Sequence, residues 1–163
     1  MNTKPGLILL PTLISALLPF QGPAAPQERH EPTDRTHRIV ELTNRARQQA
    51  GCPKVHPNPR LARTARLHSA DMADNGYLGH VGSRGHRAAT RARAAGYPSQ
   101  YVGENVAAGN TTAEKTFEQW INSPAHRRNI LNCAFTDIGV GHSTNPDSEW
   151  KHYWTQMFGR SIP

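Results

Sequence analysis

A single glutamate stands in an otherwise small and apolar stretch, YVGENVAAG, from Tyr101 to Gly109. The alternation expected of a β-strand puts Val102, Glu104 and Val106 on one face, so the carboxylate points toward a packed layer. Removing water from a carboxylate is costly unless an ion pair or hydrogen bonds replace it. The sequence therefore predicts that Glu104 has polar partners on neighbouring elements.

The candidate partners of Glu104 come from other segments, and they are His68, His80, His86, His126, and either His152 or Tyr153. Because His152 and Tyr153 are neighbours in a strand pattern, they point to opposite faces and only one can reach a shared cavity. Two imidazoles and a carboxylate could hold a divalent metal with water at an open position, or could form a hydrogen-bonded acid-base cluster. The histidines are far apart in the chain, so spacing favours neither interpretation.

Other site chemistry is not indicated. The sequence has no G-x-S-x-G elbow, no free-cysteine motif and no glycine loop for phosphates. Ser123 lies near His126, but its place before a proline predicts a helix cap rather than a nucleophile. We expect His68 to have a structural role in the core, and His86 and His142 to lie at the surface.

The first 24 residues have the features of a secretory signal peptide. Lys4 is their only charge, and the apolar stretch Gly6–Phe20 is too short and too proline-interrupted to cross a bilayer. We expect cleavage between Ala24 and Ala25, with an uncleaved membrane anchor as the alternative.

Residues 25–34 are polar and without periodicity, which is typical of a linker. Residues 35–163 have the size of one domain with its own core. The expected product is a secreted, extracellular protein without a transmembrane segment.

The chain has 163 residues and a formal net charge of +7. Arginines dominate the excess, and many lie between Arg60 and Arg93. Such an excess favours anionic polymers, phosphate-rich lipids or nucleic acid as partners, although a solvated helical face explains the same pattern. No aromatic residues are interleaved with the arginines, so a stacking platform for single strands is not indicated.

The sequence contains two cysteines, Cys52 and Cys133. In an exported protein such a pair suggests a disulfide, with two buried thiols as the alternative. A bridge closing a loop of roughly 80 residues would stabilise the fold by about 4 kcal/mol in the chain-entropy model.

Five segments show helical periodicity or capping signals. They run from the expected cap Asp34 to Gly51, from Asn58 through Met72, from His86 to Ala95, from the capping box Thr111 and Glu114 through Ile121, and from Ser123 through Ile130. Three strand patterns cover Tyr101–Ala108, Ala134–Gly141 and Trp150–Phe158. The strands are apolar on both faces, which predicts an α+β fold: a three-layer α-β-α sandwich with a mostly antiparallel sheet.

Five motifs in order, LARTARLHSADMADNGYLGH, GENVAAG, WINSPAHRRNIL, DIGVG and YWTQMFG, resemble those of a bacterial CAP (SCP-like) domain. That superfamily groups cysteine-rich secretory proteins, antigen 5 and pathogenesis-related class 1 proteins. The resemblance covers the chain from about Arg38 to Gly159. It implies an α-β-α sandwich, secretion, and a cavity that many members line with two histidines and two acidic residues, sometimes around a divalent cation such as zinc.

Carried over residue by residue, the resemblance implies a site of His80, Glu104 and His126, with Tyr153 at its edge. Glu104 matches the glutamate of the GEN motif, and His80 matches the histidine that closes the preceding helix and loop. Ser123 stands where eukaryotic members have a glutamate, with His126 as the substitute. Tyr153 takes the place of a cavity histidine.

The resemblance is consistent with a disulfide between Cys52 and Cys133. It leaves two functions open. The first is an extracellular binding module whose cavity holds a divalent cation, such as zinc, or a small ligand such as a lipid. The alternative is a peptidase-like, metal-assisted hydrolase with the metal on His80, Glu104 and His126. We expect a monomer with an extracellular or cell-envelope ligand, a lipid or an anionic polymer, and no specific nucleic acid.

Overall fold

The computed structural model describes Met1 and residues 32–161. The predicted signal peptide, its cleavage site and most of the 25–34 linker lie outside the described residues. The first helix, α1, covers Pro32–Gln49, so the last three residues of the predicted linker belong to it. Within the described residues, no helix combines the length and apolarity needed to cross a membrane.

The described chain has the predicted α+β architecture. The other helices are α2 Pro59–Asn75, α3 Ala88–Ala94, α4 Ala113–Asn122 and α5 Pro124–Ile130. The strands are β1 His56–Pro57, β2 Val102–Ala108, β3 Asp137–Thr144 and β4 His152–Gly159. They form one sheet in the order β1-β3-β4-β2. The pairs β3–β4 and β2–β4 are antiparallel, and only the short β1, which the sequence did not predict, is parallel to its neighbour.

Helices cover both faces of the sheet and complete the predicted three layers. On one face, α1, α4 and α5 pack in a cluster that includes Ile39, Trp120, Trp154 and Phe158. On the other face, α2 and α3 pack against residues such as Met157. The apolar residues on both parities of β4 are explained by this double coverage.

The helix boundaries differ from the sequence prediction where caps were misassigned. Asn58 caps α2 as predicted, because its side chain accepts hydrogen bonds from the backbone N–H groups of the first turn. Helix α1 begins at Pro32, two residues before the predicted cap position Asp34. The cap of α4 is Thr112 rather than Thr111, and Glu114 pairs with Arg38 across the helix layer instead of closing a capping box.

A disulfide joins Cys52 to Cys133 with Cα atoms 4.9 Å apart, which confirms the expected pairing. It links the turn after α1 to the loop before β3. Beside it the guanidinium of Arg47 is fully buried. Arg47 donates to four backbone carbonyls at 2.9 Å, those of Pro53, Ile130, Asn132 and Phe135. The buried cation therefore binds both segments that the disulfide joins.

Two glycines of β3 set the distance between the sheet and α2. A Cβ atom on Gly139 would lie 2.1 Å from the backbone of Leu61 and Ala62, and one on Gly141 would lie 2.3 Å from the backbone of Ala65. Backbone atoms cannot yield that much space without moving the helix. Helix α2 therefore rests directly on the strand.

We expect Gly139→Ala to lower the free energy of unfolding by more than about 3 kcal/mol, because the new methyl group overpacks a contact between two backbones. Gly79→Ala is the matched control, since a Cβ there would meet only the Tyr77 ring at 3.7 Å. Urea denaturation followed by tryptophan fluorescence measures both variants. Equal stabilities would contradict the close packing of α2 on β3.

Candidate functional site

The carboxylate of Glu104 is buried between an imidazole and a guanidinium. Its side chain, on the edge strand β2, is only 3% exposed. Oε1 accepts a hydrogen bond from Nδ1 of His80 at 2.8 Å, and Oε2 accepts one from Nη2 of Arg91 at 2.5 Å. The predicted need for polar partners is met, because both carboxylate oxygens are paired.

Arg91 is the partner that the sequence analysis did not identify. From α3 its guanidinium also donates to the backbone carbonyls of His80, at 3.0 Å, and His86, at 2.5 Å. It thus ties the loop before α3 to the carboxylate of β2. A signal was present, since a buried carboxylate requires a countercharge, but Arg87 and Arg93 stand in the same segment and only packing selects Arg91.

His80 presents one ring nitrogen to solvent and uses the other to hold its orientation. The side chain is 53% exposed, and Nδ1–H donates to Oε1 of Glu104. Within the described residues, Nε2 has no hydrogen-bond partner. The hydrogen bond to Glu104 raises the pKa of His80 above its ordinary value of 6.5, although burial opposes this. The imidazole is therefore fixed in place and more readily protonated near neutral pH.

His68 lies behind this pair in the core, where a structural role was expected. It is fully buried on α2 and its Nε2–H donates to the carbonyl of Gly79 at 2.8 Å, while standing 4.0 Å from Oε2 of Glu104. Burial lowers the pKa of His68, so the ring is neutral. It supports the loop that carries His80 rather than joining the exposed surface.

His126 lies near His80 without contacting it. Asn129 docks α5 onto β2 by donating to the carbonyl of Glu104 at 3.0 Å and to the side chain of Asn105 at 2.8 Å. Among the described residues, the ring of His126 forms no hydrogen bond to His80 or Glu104, and its buried Nδ1 has no partner. Burial first, and then the charge of His80, lower the pKa of His126. The two imidazoles therefore interact only through space.

Tyr153 is fully buried and stands apart from the exposed imidazole. It lies on the same face of the sheet as Glu104, but it pairs with Ala108 whereas Glu104 pairs with Met157. Its ring packs in an apolar cluster with Met72, and in the described chain its hydroxyl has no hydrogen-bond partner. A place for Tyr153 at the edge of an open cavity stays a prediction that this geometry does not support.

The remaining histidine pair lies on the opposite face. His142, expected at the surface, is half-buried: its Nε2 is 3.1 Å from Nδ1 of His152, and its ring centroid is 4.1 Å from that of Trp154. Burial lowers the pKa of His142 to about 4, with the charge of His152 as a smaller cause. His152 points away from the face of Tyr153, as the strand pattern predicted, and takes no part in the Glu104 cluster.

The arrangement around Glu104 does not fit a metal centre. Both carboxylate oxygens are occupied, and the adjacent guanidinium of Arg91 repels a second cation. Across the described residues, no group of three or more His, Cys, Asp or Glu side chains is placed to hold a metal ion. The hydrogen bond between His80 and Glu104 is one that an acid-base cluster would contain, and that interpretation also stays a prediction. The metal assignment to His80, Glu104 and His126 stays a prediction.

Sequence comparison relates the chain to a family and to two bacterial proteins. The model of the cysteine-rich secretory protein family, CAP, matches residues 40–158. The Bacillus subtilis protein YkwD is 37% identical over 121 residues, covering 74% of this chain and 45% of YkwD. The membrane protein YlbC of the same organism is 32% identical over 120 residues, covering 74% of this chain and 33% of YlbC. The chain thus spans less than half the length of these two curated relatives.

Structural comparison gives the same result. An extracellular protein containing an SCP domain from Bacillus anthracis superimposes with a TM-score of 0.72 at 31% identity, covering 86% of this chain and 45% of that one. An outer surface protein of Borrelia burgdorferi superimposes with a TM-score of 0.67 at 17% identity, covering 76% of this chain and 90% of that one. The second likeness shows a shared fold alone.

We expect Glu104→Gln to lower the pKa of His80, because the amide keeps the shape of the carboxylate but removes its charge. An NMR titration of the ring resonances measures this. The raised pKa also means that protonated His80 stabilises the fold below pH 6.5, and that this contribution is lost as pH rises through the folded-state pKa. In the titration of the Glu104→Gln variant, the pKa of His142, on the opposite face of the sheet, should stay unchanged. This result would show that the variant is folded. An unchanged pKa of His80 would contradict the pairing.

Proposed function

The chain belongs to the cysteine-rich secretory protein (CAP) family, and on that premise we propose that it is an extracellular binding module for a small ligand. The ligand contacts what we call the His80 surface, formed by His80, His126, Leu78 and Val81. The observation that carries the proposal is the half-exposed imidazole of His80, held in one orientation by a buried carboxylate.

A fixed imidazole is a suitable recognition group. Because Nδ1 of His80 is engaged by Glu104, the ring offers Nε2 to a ligand without first losing rotational freedom. Arg91 fixes the backbone of the same loop and so limits its movement. The raised pKa of His80 favours a donated N–H, and therefore a ligand oxygen as the acceptor.

The surroundings of His80 favour a ligand that also has an apolar part. Leu78 and Val81 flank His80 in the chain, and each is 43% exposed. Their exposed side chains would give a ligand apolar contacts on both sides of the polar anchor. A lipid, with an oxygen-bearing head and an apolar chain, matches this combination.

An extracellular location rests on the predicted signal peptide and on a relative. The matching Bacillus anthracis protein, at 31% identity, is described as extracellular. The even cysteine pair, which forms the Cys52–Cys133 disulfide, agrees with an oxidising compartment.

We expect the mature protein, secreted and purified without detergent, to release a bound lipid on extraction with organic solvent, measured by mass spectrometry. The His80→Ala variant and the Leu78→Ser, Val81→Ser double variant should each retain at least about tenfold less of it, because one loses the polar anchor and the other the apolar contact. His37→Ala, which removes an exposed histidine from α1, is the matched control and should retain the full amount. An empty wild-type extract, or equal amounts from all variants, would refute the proposed site.

The metal-assisted hydrolase requires a cation, which the same preparations test. After incubation with zinc and dialysis, we expect elemental analysis to find less than one zinc per chain. The reason is that the guanidinium of Arg91 already binds the carboxylate of Glu104. Stoichiometric zinc in the wild type that disappears in Glu104→Ala and His80→Ala would overturn this expectation. It would show that Arg91 moves aside and would restore the metal site of His80, Glu104 and His126.

A further inference from the structure

A groove of about 570 Å³ lies between α2, α3 and the loop that precedes α3. We propose that this α2–α3 groove is a second binding site, which takes a linear polyanion made of repeated phosphate groups. The proposal does not depend on the function of the His80 surface, since a different set of exposed side chains carries it.

The positive charge of the protein is concentrated around this groove. Seven arginines and only two aspartates lie in the segment from Arg60 through Arg93. Arg91 is neutralised by Glu104, but Arg63 and Arg84 line the groove with exposed side chains. In the part of the chain that the structure describes, neither of them has an ion-pair or hydrogen-bond partner. Two guanidinium groups are thus free to bind anions.

Asp71 and Asp74 offset part of this charge, but the segment from Arg60 through Arg93 still has five more arginines than aspartates. The carboxylate of Asp71 is engaged on both oxygens, accepting hydrogen bonds from the hydroxyl of Tyr77, the amide of Asn75, and both the backbone N–H and the hydroxyl of Ser83. Its role is to hold the loop in place as the wall of the groove. Asp74 is then the remaining acid among the described lining residues.

The two free arginines belong to different walls of the groove, Arg63 to α2 and Arg84 to the loop before α3. The hydrogen bonds of Ser83 to Asp71 place Arg84 beside the second half of α2, whereas Arg63 belongs to the first half. Eight residues of helix separate Arg63 from Asp71, a distance of about 12 Å along the axis. Backbone positions this far apart favour a chain with repeated charges over a single small anion.

The floor of the groove suits a thin chain without aromatic groups. Between the arginines it is lined by Leu67, Ala70, Ala94 and Ala95. Within the described lining, no Phe, Tyr or Trp offers a ring on which a nucleobase could stack. A phosphodiester or polyphosphate chain therefore fits the groove better than a single-stranded nucleic acid.

Binding of fluorescently labelled inorganic polyphosphate, followed by anisotropy at increasing salt, tests the proposal. The Arg63→Ala, Arg84→Ala double variant should bind at least about tenfold more weakly. Its slope of log K against log salt should fall by about two, one for each lost phosphate contact. The matched control, Arg45→Ala with Arg128→Ala, removes the same charge from exposed positions on α1 and α5 and should keep both the affinity and the slope.

Three results would overturn the proposal. They are no binding of polyphosphate at low salt, an equal loss in the control variant, and tighter binding of an oligothymidylate of the same charge, which would point to nucleic acid. Orthophosphate should compete only weakly, because it cannot span the groove. A parallel titration with poly(glycerol phosphate) distinguishes the two kinds of phosphate polymer. If its binding depends on the same two arginines, the partner is a phosphodiester polymer. If only polyphosphate binds, the partner is polyphosphate.

Discussion

The pairing of one buried carboxylate with an imidazole and a guanidinium organises the functional side of this protein. The carboxylate of Glu104, on the edge strand β2, can be buried because His80 and Arg91 bind both of its oxygens. Arg91 is the more buried of the two partners, and without it the carboxylate would keep only the half-exposed His80. The same contacts bind α3 and its preceding loop to the edge strand and set the direction of the exposed imidazole. The contacts of Glu104 therefore both stabilise this layer and set the geometry of the His80 surface.

The opposite layer follows the same principle with different groups. Arg47 is buried with backbone carbonyls as its partners, and the amide of Gln156 joins β4 to α1 through the hydroxyl of Thr43 at 2.8 Å. Asn105 continues this chain by donating to Gln156 at 2.9 Å. Satisfied polar contacts of this kind admit one arrangement of the elements, whereas apolar packing alone tolerates several. Both helical layers are thus held to the sheet at defined positions.

Arginines of identical chemistry have three different roles here. Arg47 braces loops in the core, Arg91 neutralises Glu104, and Arg63 with Arg84 remains free at the α2–α3 groove. Arg91 lines that groove as well, so it stands between the two proposed binding surfaces. A net charge taken from composition averages over these roles, and only the position of each side chain separates structural cations from those available to a ligand.

Much of the architecture was determined by local sequence. Helical periodicity, the Asn58 cap and strands apolar on both faces determined the α-β-α layers, because these signals depend on neighbours in the chain. The strand pattern around Glu104 also established that a carboxylate faces a packed layer. Tertiary structure alone decided that Arg91 is its partner, that Tyr153 is buried far along the sheet, and that His126 stays out of contact. These contacts depend on distances between elements that are remote in sequence. The spacing of residues along the chain does not predict those distances.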